Sequence, residues 1–249
     1  MKNPSKPTFP PRSHKRVFFI QAMGIPGSYD ASVYEDFEDK DDESAWFKKN
    51  FQYFSGITFD TRNVCINDDL PTCDEADGLV LAGSYNSVHD NTAWQRRLIT
   101  WISEMRNFHI PILAICGSHQ LLCHSLGSRV VDLEHGPHAG TFEVELTALG
   151  QNSPLMKSIP KRAAFHYANS EHVIDIPAGT ELLAQSDIIP LAALDFGNNC
   201  FSTQFHPEAT ERSLATVWRF SNPERMQYYH NNEFGNKLVE NFLNIVIRQ

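Results

Sequence analysis

Ile110-Pro111-Ile112-Leu113-Ala114-Ile115-Cys116-Gly117-Ser118-His119-Gln120-Leu121-Leu122 is the stretch on which the fold turns. Ile110 to Cys116 is an apolar run rich in β-branched residues, the pattern of a strand buried on both faces at the centre of a parallel sheet. From Gly117 the period becomes helical, with Leu121, Leu122 and Leu126 on one side and Gly127 as the stop. A strand that passes into a helix at Cys116 places that residue where open parallel sheets collect their ligands. The sharp turn lifts the sulfur out of the core and aims the free N–H groups of the first helical turn at whatever the sulfur attacks. That helix end also favours a negatively charged nucleophile.

On either side of this stretch the chain alternates short β-rich runs with helical patterns, the signature of an α/β fold. Upstream, Arg16 to Met23 and Thr58 to Ile66 read as strands, Ser44 to Phe54 as a helix, and Gly78 to Gly83 as a buried strand. Thr92 is placed to cap a helix whose Leu98, Trp101, Ile102 and Met105 recur at core spacing. The acidic run from Asp30 to Glu43, opposed only by Lys40, reads as a solvated loop leading into a helix. Downstream, Thr141 to Leu146, Leu191 to Phe196 and Phe201 to Phe205 alternate as strands. Glu233 to Ile247 reads as a last helix with Phe234, Leu238, Phe242, Ile245 and Val246 on its apolar face. One domain over residues 16–249, preceded by a flexible tail over 1–15, is the expected organisation.

Composition narrows the function classes. The 249 residues carry 21 Lys+Arg against 30 Asp+Glu, a net charge of −9, which disfavours a polyanion partner such as nucleic acid. No run approaches the roughly 18–20 apolar residues that span a bilayer, and the apolar part after the N-terminal basic residues is too short for a signal peptide. Five scattered cysteines (Cys65, Cys73, Cys116, Cys123, Cys200) without CxxC pairs fit a reducing, cytoplasmic setting. The chain has no tight metal-ligand set, P-loop or GxGxxG, so no metal, ATP or dinucleotide cofactor is expected, despite several histidines. His135-Gly136-Pro137-His138 is expected as a loop near the mouth of a site. Trp218, Phe220, Tyr228 and Tyr229 are expected to pack in the core.

A second segment carries chemistry. In Ser202-Thr203-Gln204-Phe205-His206-Pro207-Glu208, extended backbone projects His206 and Glu208 to the same side, and Pro207 holds His206 extended. A carboxylate beside an imidazole fixes its tautomer and stabilises its charged form, the orienting role in Cys–His–acid sites. Taken alone, a His-x-Glu is weak, and a strand-end cysteine is usually a small buried apolar residue.

Taken together and in order, Ile112 to Leu122, Gln204 to Glu208 and Gly78-Leu79-Val80-Leu81-Ala82-Gly83-Ser84-Tyr85-Asn86-Ser87-Val88-His89-Asp90 resemble the class I glutamine amidotransferase family. The resemblance covers roughly residues 16–210. It implies a flavodoxin-like architecture: an open, mostly parallel central sheet flanked by helices, with a small additional antiparallel sheet. It also implies a Cys116–His206–Glu208 triad and an oxyanion hole from the N–H groups of Ser84 and Gly117. Contacts to a bound glutamyl group are expected from Gly83, Gln120, Asn169 and Ser170. The implied reaction is hydrolysis of glutamine or another γ-glutamyl amide through a cysteine thioester.

Several positions depart from the family pattern. The elbow, usually Gly-x-Cys-x-Gly, has Ala114 and Ser118 at its glycine places, and a serine tolerates positive φ less readily than glycine. Ser84 and Tyr85 stand where Gly and often Pro are usual, and Ala168 to Val173 replaces a Ser-His-Gly-Asp-like substrate loop. These changes leave the nucleophile in place and favour a non-standard γ-glutamyl substrate. Three readings stay open: a glutaminase feeding ammonia to a separate synthetase subunit, a γ-glutamyl hydrolase acting alone, and an inactive binding module of the same fold.

Overall fold

A computed structural model describes residues 13–249. Most of the tail expected over residues 1–15 therefore lies outside the described residues, and Lys15 already opens the first strand. The first half runs β1 (Lys15–Gln21), α1 (Glu43–Phe51), β2 (Ile57–Asn63), β3 (Gly78–Leu81), α2 (Ala93–Asn107), β4 (Ile112–Ile115) and α3 (Gly117–Ser125). The second half runs β5 (Val130–Asp132), β6 (His138–Leu146), α4 (Ala148–Asn152), β7 (Arg162–Asn169), β8 (Glu171–Val173) and β9 (Glu181–Gln185). It ends with β10 (Ala193–Asp195), β11 (Cys200–Thr203), α5 (Glu211–Thr216) and α6 (Gly235–Ile247).

Nine strands form one mixed sheet in the order β2-β1-β3-β4-β11-β10-β9-β6-β7, and β5 pairs with β8 in a small second sheet. The five strands from β2 to β11 are parallel. The remaining four continue the sheet in antiparallel fashion. This is the open, mostly parallel, helix-flanked sheet with a small antiparallel companion that the sequence implied. The alternating strands of the second half extend the main sheet, except that β5 and β8 stand apart.

The parallel strands are buried on both faces because their side chains alternate between two cores. Val17, Phe19, Val80, Leu113 and Ile115 pack with Phe47 and Phe51 of α1 and Leu238, Val239 and Phe242 of α6. Phe18, Ile20, Leu79, Leu81, Ile112 and Ala114 pack with Leu98, Trp101, Ile102 and Met105 of α2 and Leu121 and Leu122 of α3. Each such buried side chain contributes about 1.5–3 kcal/mol relative to exposure. Thr92 and Gln95 close a capping box on α2, as the cap residue led one to expect. Gly127 stops α3 with φ +92, but Leu126 is exposed rather than part of the apolar side.

Helix α4 lies directly on β9. A Cβ on Gly150 would fall 1.9 Å from the Leu183 carbonyl oxygen, so neither backbone can yield without the other. Gly150→Ala is expected to cost about 3 kcal/mol, read as a fall in the urea midpoint at constant slope. Among the described residues no helix is long and apolar enough to cross a membrane.

Candidate active site

The nucleophile candidate sits on a strained elbow. Cys116 has φ +48 and ψ −107 between the end of β4 and the first residue of α3. A non-glycine residue held there costs on the order of 1–3 kcal/mol, and the surrounding bonds impose it. The Cys116 N–H donates to the Thr203 carbonyl (2.7 Å), and its carbonyl accepts from the Gln120 N–H (3.0 Å). Ser118, expected to be the awkward residue, is helical. Its hydroxyl donates to the Ala82 carbonyl (2.6 Å), tying the helix start to the end of β3. The positive φ falls on the cysteine itself, so serine at 118 carries no backbone penalty.

The glycine at 117 has a different purpose. A Cβ there would lie 2.8 Å from the Ser84 backbone nitrogen and 2.8 Å from the Ser84 Cβ. The Ser84 backbone thereby comes close to Gly117, the residue that follows the cysteine. The N–H of Gly117 is in the first turn of α3, where no intrahelical acceptor exists. That of Ser84 has no acceptor among the described residues. Two free backbone donors on neighbouring segments are candidates for holding an oxyanion.

His206 comes to the same place from the end of β11. Its backbone N–H donates to the His166 carbonyl (2.8 Å), and its Nδ1 is 2.9 Å from Glu208 Oε1. The ring lies beside the Cys116 side chain and is electrostatically coupled to it. With Nδ1 taken by Glu208, Nε2 is the nitrogen left for the sulfur. Burial acts to lower the His206 pKa, but the charges of Cys116 and Glu208 and the hydrogen bond to Glu208 overcome it. The pKa is held well above the ordinary histidine value. Gly83 makes the close approach feasible, since a Cβ on it would lie 2.9 Å from His206 Cε1 and 3.4 Å from Cys116 Cβ.

The other four thiols are not armed. Burial pushes Cys65 and Cys200 up to about 12 and raises Cys123 as well. Cys73 is raised by desolvation and by its Asp74 neighbour.

The residues expected in the triad and around a glutamyl group divide into two sets. Gly83, Cys116, His206 and Glu208 share a cavity of about 470 Å³. Gln120 and Asn169 do not line it; their side-chain amides both donate to the Glu171 carbonyl (2.7 and 2.9 Å). Ser170 is exposed, and its carbonyl accepts from the Leu133 N–H. Nor does the segment 135–138 line the cavity: His138 is buried at the start of β6, stacked on Phe142 with centroids 4.0 Å apart. Trp218 and Tyr229 are buried and joined by a hydrogen bond, whereas Phe220 and Tyr228 are exposed.

Two features escaped the sequence reading. Gln204 is fully buried, and its amide donates to Cys116 Sγ (3.6 Å) while its carbonyl oxygen accepts from Gln120 (3.1 Å). Period-two spacing from His206 was the available signal for it. The acidic run 30–43 is not a plain solvated loop. Tyr34 and Phe37 from it, with Trp46 of α1, line the cavity, and so does Glu43. Glu43 Oε2 and Trp46 Nε1 are buried without a hydrogen-bond partner. Burial first, then the nearby Glu208 charge, push the Glu43 carboxyl up to about 8, with His206 acting in opposition.

A glutamine-hydrolyzing GMP synthase subunit of Halobacterium salinarum is 29% identical to this chain over 168 residues, 66% of this chain and 84% of that protein. γ-Glutamyl peptidase 5 of Arabidopsis thaliana is 27% identical over 146 residues, 58% of each chain. The glutamine-hydrolyzing GMP synthase of Limosilactobacillus reuteri is 31% identical over 147 residues, a match that spans only 27% of that longer protein. Among solved structures, a glutamine amidotransferase from Thermotoga maritima superposes with a TM-score of 0.70 at 19% identity, covering 96% of this chain and 100% of that one. The family model for glutamine amidotransferase class-I matches residues 45–222, most of the chain and all of the elbow, the His-Pro-Glu turn and the β3 loop. The chain therefore belongs to the class-I glutamine amidotransferase family.

Proposed function

We propose that this protein hydrolyses γ-glutamyl amides through a thioester on Cys116. One observation carries the reading: Cys116 on the strained elbow lines an open cavity beside a buried imidazole that is itself held by Glu208. The Cys116 sulfur attacks the γ-carbonyl carbon, and the resulting oxyanion takes hydrogen bonds from the Ser84 and Gly117 N–H groups. His206, which takes the thiol proton as the sulfur attacks, gives it to the departing nitrogen as the oxyanion collapses to the thioester and the C–N bond breaks. Water then attacks the thioester, His206 receives its proton, and the C–S bond breaks to release glutamate and restore the thiol.

Glutamine and larger γ-glutamyl amides are both within this chemistry. Similarity to a GMP synthase subunit supports a glutaminase that delivers ammonia to a separate synthetase subunit. The size of the cavity and the similarity to a γ-glutamyl peptidase support a hydrolase acting alone on a larger leaving group. Ammonia release from glutamine, measured beside amine release from γ-glutamyl dipeptides, separates the two. A glutamine-like chloroketone is expected to label Cys116; labelling confined to Cys65 or Cys200 would overturn the assignment.

The close fit at Gly83 makes a further prediction. Gly83→Ala puts a methyl group 2.9 Å from His206 Cε1 and displaces the ring by several tenths of an ångström. The expected loss is about 10²-fold in kcat, with the thermal midpoint lowered only slightly. A fully active Gly83→Ala protein would show that His206 does not need its present position.

A further inference from the structure

The cavity beside the triad is much larger than ammonia requires. A water molecule occupies about 30 Å³ in the liquid, against about 470 Å³ here. Its position says which part of a substrate it would take. The leaving nitrogen must lie against His206, the group that protonates it, and both His206 and Glu208 stand on the cavity wall. Gln120 and Asn169, expected at the glutamyl end, lie outside the lining. The cavity thus extends from Gly83, Ser84 and Cys116 past His206 to the departing side of the scissile bond.

Its chemistry is specific. Tyr34, Phe37 and Trp46 form an aromatic cluster, with ring centroids 5.0 Å (Tyr34–Trp46), 5.3 Å (Phe37–Trp46) and 5.7 Å (Tyr34–Phe37) apart. Beside them the Glu43 carboxyl lines the cavity, and one of its oxygens is buried with no donor, an arrangement that native proteins seldom leave unfilled. The two cations on the wall are already engaged. Lys49 pairs with Glu38 at 2.9 Å, and Arg212 stacks over Phe37 at 4.5 Å and donates to the Asp36 carbonyl. Aromatic faces grouped with an unsatisfied carboxyl select a cation.

We propose that this cavity is a leaving-group subsite for γ-glutamyl amides of diamines, in which Tyr34, Phe37, Trp46 and Glu43 hold the distal ammonium of the departing amine. The inference rests on the hydrolase reading above. An ammonium beside the Glu43 carboxyl supplies a donor it lacks, and its charge favours the ionised form.

The test compares two nearly isosteric substrates, the γ-glutamyl amide of 1,4-diaminobutane and that of n-pentylamine, which differ in the terminal charge. The wild-type protein is expected to favour the cationic amide by at least tenfold in kcat/KM, and Glu43→Gln to reduce that ratio by at least tenfold. Calorimetric titration of 1,4-diaminobutane itself reads the subsite without turnover. Binding to the wild type, weakened at least tenfold in Glu43→Gln and in Trp46→Leu, supports the proposal even for a protein slow in hydrolysis. Hydrolysis of the neutral amide at least as fast as the cationic one, or diamine binding that ignores Glu43, overturns the subsite and leaves the hydrolase reading standing. No turnover of either amide or of glutamine, with Cys116 unlabelled by chloroketone, overturns the hydrolase reading and with it the leaving-group assignment.

Discussion

Cys116→Ala is expected to lower γ-glutamyl amide hydrolysis by roughly 10⁶-fold, the loss typical of a nucleophile that works as one unit with its base. Residual turnover would come from binding and from the two backbone donors, which the substitution leaves in place. A stability measurement accompanies this. Cys116 holds φ +48, a conformation in which alanine is strained and glycine is not. Cys116→Gly is therefore expected to be as inactive as Cys116→Ala yet more stable than it by about 1 kcal/mol, read from urea midpoints. Equal stabilities would mean that the elbow is not strained, and retained hydrolysis in either variant would remove Cys116 from the reaction.

The second large effect is expected at Glu208. Glu208→Gln keeps the shape of the side chain and removes the charge that, with Cys116, holds the His206 pKa well above its ordinary value. The expected loss in kcat is about 10³–10⁴-fold, since an amide can orient the imidazole wrongly and does not stabilise its cation. Substrate capture, read as KM, should change little. In the wild type the alkaline limb of kcat/KM reflects His206 losing its proton, so it should lie well above pH 6.5. Removing the negative partner moves that limb to lower pH.

Stability follows the same sign. A histidine whose pKa is raised on folding stabilises the fold fully below its unfolded pKa. That contribution is lost as pH rises through the folded value. The destabilisation by Glu208→Gln should accordingly be larger at about pH 6 than at about pH 10. An unchanged rate would remove Glu208 from the site, and a limb that stays in place would separate it from His206.

Much of this site was legible in the order of residues because its parts are local. Cys116 is marked by the change from a strand pattern to a helical one, and His206 and Glu208 by their spacing of two around Pro207. The pairing of Gly117 with Ser84 was expected only through family resemblance, because the close packing between them, which leaves no room for a Cβ on residue 117, joins segments far apart in sequence. The strain predicted for Ser118 was misplaced by two residues. Local pattern shows that a sharp turn occurs, whereas the hydrogen bonds of Cys116 to the Thr203 carbonyl and from the Gln120 N–H decide which residue turns.

The run from Asp30 to Glu43 is the clearest case of the opposite kind. Its composition is that of a solvated loop, and most of its carboxylates do face water. What separates Glu43 from them is not its type or its neighbours along the chain. It is the placement of α1 against the end of the parallel sheet, beside Glu208 and His206. Period and turn chemistry act over a few residues, so the strands, their two buried faces and the nucleophile's position could be read from the chain alone. Burial of a charge, the partner it lacks and the cavity it faces depend on segments more than a hundred residues apart, and only packing brings those together.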